Sequence, residues 1–312
     1  MKNIKKTIKE SLPDIFIYYY KVIQIFPKFL KAEFKNLGVK FKHIEFYTDE
    51  ETVDKIVFER KSLSRFGDGE LIWMTGGKLD SFQEYSPELS KDLIKAFCSK
   101  NPNLLIGIPY GIQNSKKCNL YAKMHWRIIK CDFYKRLERF LDYKTIYSNA
   151  SITRPYIDYR DRKFSKNSFD NLRRIWDRKD IVIIEGKYSK LGLGNDLFDN
   201  ANSIKRIICP AQNAYEKKDE IKQAVIKNVD KNSLIIAALG PTATILASEL
   251  CDEGFQVVDT GHVDIEYMWY KNHSILRDEV KGKQVNESGN KNCDQTYDVD
   301  GDYLNSIMLR IE

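Results

Sequence analysis

The chain has 312 residues, 42% of them hydrophobic and 30% charged, with a formal net charge of +7, which is the profile of an ordinary globular protein with enough chain to bury a core without disulfide or metal staples. Six dispersed cysteines with no C-x-x-C pair, Cys98, Cys118, Cys131, Cys209, Cys251 and Cys293, exclude a zinc ribbon or a disulfide scaffold and predict free thiols in a reducing cytoplasm. The positive charge favours anionic partners such as phosphates or an acidic lipid surface, but it reads as modest and spread out, so nucleic-acid binding is not expected.

In chain order, the start lacks the apolar core of a signal peptide, and no run reaches the roughly 18 apolar residues of a membrane span. Residues 11–42 mix aromatics with lysines around Pro27, and the spacing predicts two short amphipathic helices within an N-terminal extension, residues 1–48. Two roles stay open for it: packing on its own domain or a second subunit, and peripheral contact with anionic lipid. From about residue 49 to 278, short β-branched runs bounded by Gly or Pro alternate with helical stretches. The strands are predicted at 104–109, 181–186, 204–210, 233–240 and 256–261, and helices at 167–177, 195–201, 216–229 and 242–252. Continuous apolar runs suit strands buried on both faces. The alternation predicts an α/β, Rossmann-like, mostly parallel doubly wound sheet with function at the carboxyl ends of its strands. Residues 279–312 read as a polar surface excursion with a short closing element.

Five constellations could carry chemistry. "RFGDGE" places Asp68 and Glu70 in a turn flanked by Gly67 and Gly69, beside Arg65. Such a pair offers hard oxygen ligands to Mg²⁺ or Mn²⁺, whose remaining positions phosphate oxygens fill, and the glycines allow backbone to approach a diphosphate. Arg65 could contact phosphate or form a plain salt bridge. "SNASITRPYIDYRDR" adds Arg154, Asp158, Arg160 and Arg162, suited either to phosphate and sugar hydroxyls or to surface ion pairs. "YSKLGLGNDLF" gathers Ser189, Lys190, Gly192, Gly194, Asn195 and Asp196 after a strand, although Leu197 stands where a dinucleotide fingerprint needs its third glycine. "GPTAT", Gly240, Pro241 and Thr242 onward, makes either a phosphate-binding helix start or a good strand-to-helix turn, and is not a Walker loop. "DTGHVDIEYMW" holds Asp259, His262, Asp264 and Glu266 after the last predicted strand, for a metal shell or a general base, with Asp264 as helix N-cap the alternative. His43, His125 and His273 lack comparable company in sequence.

Taken in order, "RFGDGE", "GIP", "TRPY", "IVIIEG" with "SKLGLGNDLF", "ICPAQNAY", "ALGPTAT" and "DTGHVDIEYMW" resemble the GT-D-type bacterial glycosyltransferases, typified by a glucosyltransferase domain of streptococcal adhesin glycosylation. The resemblance covers roughly residues 55–275. It implies a Rossmann-like transferase using a UDP-sugar, UDP-glucose first, with Mn²⁺ or Mg²⁺ near Asp68 and Glu70, and with His262 as a further ligand. The glycine-rich and "GPTAT" loops would face the nucleotide, and "GHVDIEY" the metal or acceptor. Lys190 departs from the arginine expected of relatives, and the N-terminal extension lies outside the shared domain.

The leading expectation is therefore a metal-dependent hexosyltransferase acting on a glycan or glycoprotein acceptor in surface polysaccharide or glycoprotein biosynthesis. Asp68, Glu70, His262, Asp264 and Glu266 are its catalytic candidates. His262, whose ordinary pKa lies nearest neutrality, heads the choice of base among His262, Asp264 and Glu266. A cytoplasmic location, with peripheral membrane contact through residues 11–42, and a homo-oligomer fit this reading. The competing expectations are a nicotinamide- or flavin-dependent oxidoreductase and a non-catalytic module at a lipid surface.

Overall fold

A computed structural model describes residues 13–79, 81–285 and 301–312. Eight strands form one sheet in which every neighbouring pair is parallel. They are β1 (Ser62–Arg65), β2 (Leu104–Ile108), β3 (Ser148–Asn149), β4 (Asp180–Gly186), β5 (Ser203–Cys209), β6 (Leu234–Ala238), β7 (Gln256–Asp259) and β8 (Ile307–Arg310), in the order β3-β2-β1-β7-β6-β4-β5-β8. The chain thus builds outward from β1 to β3, crosses to the other half, and returns through β6 and β7 to lie beside β1. The carboxyl ends of β1 and β7 meet at this reversal, the position where open α/β sheets bind ligands.

The apolar runs of the strands have a simple cause. Ile181 and Ile183 of β4 pack with Leu63, Leu234, Ile236 and Val258 on one face of the sheet. Val182 and Ile184 pack with Ile207, Ile235, Ala237 and Val257 on the other. Because both faces are covered, successive side chains all need to be apolar. The first face is closed by α2 (Asp49–Phe58), α6 (Lys163–Arg173) and α9 (Val263–Lys271), with Trp176 and Trp269 fully buried. The second is closed by α3 (Asp68–Met74), α4 (Pro87–Phe97), α5 (Leu120–Leu137), α7 (Lys218–Asn228) and α8 (Pro241–Asp252). Local chemistry starts these helices. The Thr48 hydroxyl accepts from Glu51 N–H while the Glu51 carboxylate accepts from Thr48 N–H, a reciprocal cap that stabilises α2 by about 1 kcal/mol. Ser86 and Asn119 cap α4 and α5.

Several sequence expectations change here. β1, with the sequence SLSR, has too few apolar residues to be read as a strand, yet Ser62 and Ser64 are buried because their hydroxyls donate to the carbonyls of Phe255 and Thr244. Residues 195–201 form turns rather than a helix. Asp68 and Glu70 lie in the first turn of α3, not in an open turn. The two helices expected on either side of Pro27 are one helix, α1 (Asp14–Leu37). An internal proline costs a helix about 3 kcal/mol, and α1 offsets that by packing along α5. Val22, Ala32 and Asn36 are buried against it, Asn36 Nδ2 donates to Arg127 O, and Arg127 holds Glu33 at 2.7 Å. The expected polar excursion begins with buried residues: Val280 and Val285 join the core, and Lys283 is buried beside α9. Beyond it, α10 (Gly301–Ser306) leads into β8, which closes the sheet edge next to β5.

Candidate active site

The two central strands present their ends side by side, tied by one guanidinium. Arg65 Nη2 bonds Asp259 Oδ1 at 2.9 Å, its Nε donates to Asp259 O at 2.7 Å, and its Nη1 donates to Ala150 O at 2.9 Å. Thr244 of "GPTAT" adds a hydroxyl that donates to Arg65 O, with Asp259 Oδ2 3.3 Å away. Gly261 is required behind this bridge. Its φ is +47°, and a Cβ there would sit 2.0 Å from Arg65 Nη2. Arg65, a nucleotide-contact candidate, thus takes the salt-bridge alternative, and spends its fork on protein acceptors.

Asp68 and Glu70 follow directly. Asp68 is exposed and Glu70 half-buried, and among the described residues neither carboxylate has a Lys, Arg or His within ion-pair distance. Glu70 folds back so that its Oε2 accepts from Gly67 N–H at 2.8 Å. Burial pushes its carboxyl up to about 7, the nearby Asp259 and Asp68 charges push the same way, and the Gly67 hydrogen bond opposes them. Gly69 packs its backbone near the Trp73 ring. The opening of α3 thus carries two carboxylates with no cation partner among the described residues.

At the other side of the reversal, β7 leads into α9. His262 occupies the N-cap position and is half-buried, while Asp264, expected as the cap, lies inside the first turn and is buried. Asp264 Oδ1 accepts from Gly192 N–H at 2.9 Å and from Asn195 Nδ2 at 2.7 Å, and its Oδ2 meets Lys283 Nζ at 2.6 Å. Glu266 is also fully buried. Its Oε2 accepts from Tyr156 and Ile157 N–H at 3.2 and 3.1 Å, and its Oε1 lies 3.5 Å from Arg154 Nε. Burial lifts the Glu266 carboxyl to about 7, with Arg154 opposing. These two acids hold loops: Asp264 the glycine-rich loop, Glu266 the "TRPY" segment. Among the described residues no group of three or more His, Cys, Asp or Glu converges on one point, so Asp68, Glu70 and His262 do not form a preformed three-ligand shell.

The remaining candidates divide. Ser189 sits in the turn beyond β4, its N–H donating to Gly186 O, and Gly194 lies in the turns that follow. Asp196 points to the far part of α9, accepting from Tyr267 Oη at 3.0 Å and pairing with Lys271 at 3.2 Å. Gly240 starts α8 with φ +56°, which needs glycine, and the Phe82 ring lies where a Cβ would be, at 2.4 Å. Pro241 occupies the first helical position, and the buried Thr242 Oγ1 has no hydrogen-bond partner among the described residues.

Sequence reading passed over His125, on α5. Burial pushes its imidazole below the ordinary value, Asp68 and Asp158 pull it up, and Arg277 pushes it down, so the three charged groups lie near it. Asp158 pairs with Arg277 at 2.6 Å. Asp49 opens α2 near by. Water reaches it, yet burial raises its carboxyl while Asn149 and Lys117 oppose. Lys283 was hidden as well. No periodicity marks His125 or Lys283, since their partners lie 57 and 19 positions away; only "GDGE" and "GHVDIE" offered a signal.

A wholly parallel sheet with helices on both faces and acidic and imidazole groups at its central reversal places the chain among the Rossmann-like α/β proteins. Within that class, the chain belongs to the glycosyltransferase GT-D fold family, whose model matches residues 63–288. It is 36% identical over 267 residues to glycosyltransferase GlyD of Streptococcus pneumoniae, covering 84% of this chain and 32% of the relative. It is 34% identical over 291 residues to the probable glycosyl transferase Gly of Streptococcus gordonii, covering 91% and 42%. The chain thus spans well under half the length of these relatives. Among solved structures, it matches a glycosyltransferase from Streptococcus sanguinis with a TM-score of 0.81 at 32% identity, over 86% of this chain and all of that one. It also matches a domain described as having a distinct glycosyltransferase fold, with a TM-score of 0.79 at 33% identity, over 92% and 99%.

Proposed function

We propose that the protein transfers a hexose, glucose first among the choices, from a UDP-sugar to a glycan or glycoprotein acceptor in surface polysaccharide or glycoprotein biosynthesis. The observation that carries this reading is the pair Asp68 and Glu70: two carboxylates at the strand reversal, with the neighbouring arginine already committed to Asp259. Mn²⁺ or Mg²⁺ needs only one or two protein carboxylates when phosphate oxygens supply the rest. The residues present therefore fit such an ion, with Asp68 and Glu70 holding it. When bound, it would neutralise charge growing on the leaving diphosphate.

The protein's own groups have separable tasks. The start of α8, with its Thr242 hydroxyl lacking a partner among the described residues, suits an anionic oxygen at a helix N-terminus. Asp264 holds the loop carrying Gly192 and Asn195 beside the site. Asp264 and Glu266 are occupied by backbone and cations, and His262, the group whose ordinary pKa lies nearest neutrality, is the base proposed for the acceptor hydroxyl. The oxidoreductase alternative loses support because no helix follows the G-x-G turn and Leu197 is fully buried. Incubation with a panel of UDP-sugars and Mn²⁺, with and without EDTA, tests the proposal. Sugar release or transfer indifferent both to EDTA and to Asp68→Ala would count against it.

A further inference from the structure

The helix α1 has two apolar faces, and only one is used. Tyr18, Val22, Ile25, Phe29, Ala32 and Asn36 recur every three to four residues on the side packed against α5. Nearly opposite, Phe16, Tyr20, Ile23, Pro27, Leu30, Phe34 and Leu37 repeat with the same spacing and face solvent, with Ile23, Phe34 and Leu37 exposed by 69%, 76% and 82%. Nine of the fifteen large hydrophobic side chains exposed among the described residues belong to this one helix, so the stripe is a concentrated patch rather than scattered surface.

Charge selects what covers it. Residues 1–42 hold ten lysines and three carboxylates, an excess equal to the +7 of the whole chain, so residues 43–312 are balanced. The positive charge that looks dispersed is confined to this segment. On the helix, Lys28 and Lys31 are exposed on one side of the stripe, while Lys35 is paired with Asp132 of α5 at 2.6 Å. Of the two acids of α1, Glu33 is already bound to Arg127. A second copy laid on this face would set lysines against lysines with Pro27 in the seam. Anionic headgroups would instead meet the lysines while the aromatic stripe enters the acyl boundary, which is how basic amphipathic helices lie on membranes.

We propose that α1 docks the protein flat on an anionic bilayer surface through the Phe16–Leu37 stripe, with its inner face bolted to α5 so that the whole domain follows. α1 itself does not span, since no helix among the described residues is long and apolar enough to cross a membrane.

Flotation of the full chain with vesicles of phosphatidylcholine, alone or with phosphatidylglycerol, tests this. Binding only to the anionic vesicles is expected, weakened by salt, lost in Ile23→Glu/Phe34→Glu, and reduced about fivefold per lysine in Lys28→Gln and Lys31→Gln. UDP-sugar hydrolysis and the thermal midpoint should not change in these variants, which separates docking from catalysis and from misfolding. Failure of the full chain to float with anionic vesicles would overturn the proposal. So would flotation undiminished in the glutamate variant, or a lipid-independent dimer that the same two substitutions dissociate.

Discussion

Arg65 and Asp259 are joined twice, side chain to side chain at 2.9 Å and side chain to carbonyl at 2.7 Å, across the line where the two halves of the sheet meet. Arg65 is largely buried and Asp259 almost wholly so. Replacing either by alanine leaves an uncompensated buried charge, and a loss of about 3–5 kcal/mol in unfolding free energy is expected, read by urea denaturation. A change under 1 kcal/mol would show that the bridge does not hold the strand ends together.

Asp68 stands in a different position, exposed and with no described cation partner. Asp68→Asn should leave stability within about 0.5 kcal/mol while lowering transfer by on the order of a hundredfold or more. Circular dichroism melts beside initial rates at saturating Mn²⁺ would separate the two effects. EDTA should reduce the wild type to the level of the variant, and a variant that melts early would mean Asp68 is structural.

Glu266 should write itself into the pH dependence of stability. Its carboxyl is raised from the ordinary 4.5 to about 7 in the folded state, so the folded chain binds this proton more tightly than the unfolded chain. That contribution is fully present below about pH 4.5 and is lost as pH rises through about 7, a span on the order of 3 kcal/mol. In Glu266→Gln this component should vanish. The difference in unfolding free energy between wild type and variant, measured from pH 5 to 8, would then slope with pH. A flat difference would place the Glu266 pKa near that of an ordinary carboxylate.

Lys283 and Asp264 form a buried pair at 2.6 Å that also anchors the Gly192–Asn195 loop. Lys283→Met should cost about 3–5 kcal/mol and raise the KM for the sugar nucleotide, because the loop loses its anchor's counter-charge. Removing both partners should cost less than the sum of the single changes. Additive losses in a double-mutant cycle would argue that the two side chains do not act together.

How far the sequence reaches differs between fold and site. The buried strands from β4 to β7 were legible because a parallel sheet covered on both faces demands unbroken apolar runs, and Gly and Pro marked their ends. β1 was not legible, because its serines satisfy their hydroxyls only through carbonyls of residues 255 and 244. The single helix through Pro27 was equally hidden, since what offsets the proline is packing against a helix a hundred residues away. Within the site, the residue types of "GDGE" and "GHVDIE" could be picked out, but not their tasks.

By itself, then, the order of residues determined the class of sheet, the ends at which chemistry gathers and the short list of acids. Only the folded chain decided which acids are paired with protein groups and which are not. Arg65 went to Asp259, Lys283 to Asp264 and two backbone amides to Glu266, while Asp68 and Glu70 have no cation partner among the described residues. The reason is electrostatic: a carboxylate's role depends on which charges and donors stand within a few ångströms of it, and those partners come from distant parts of the chain.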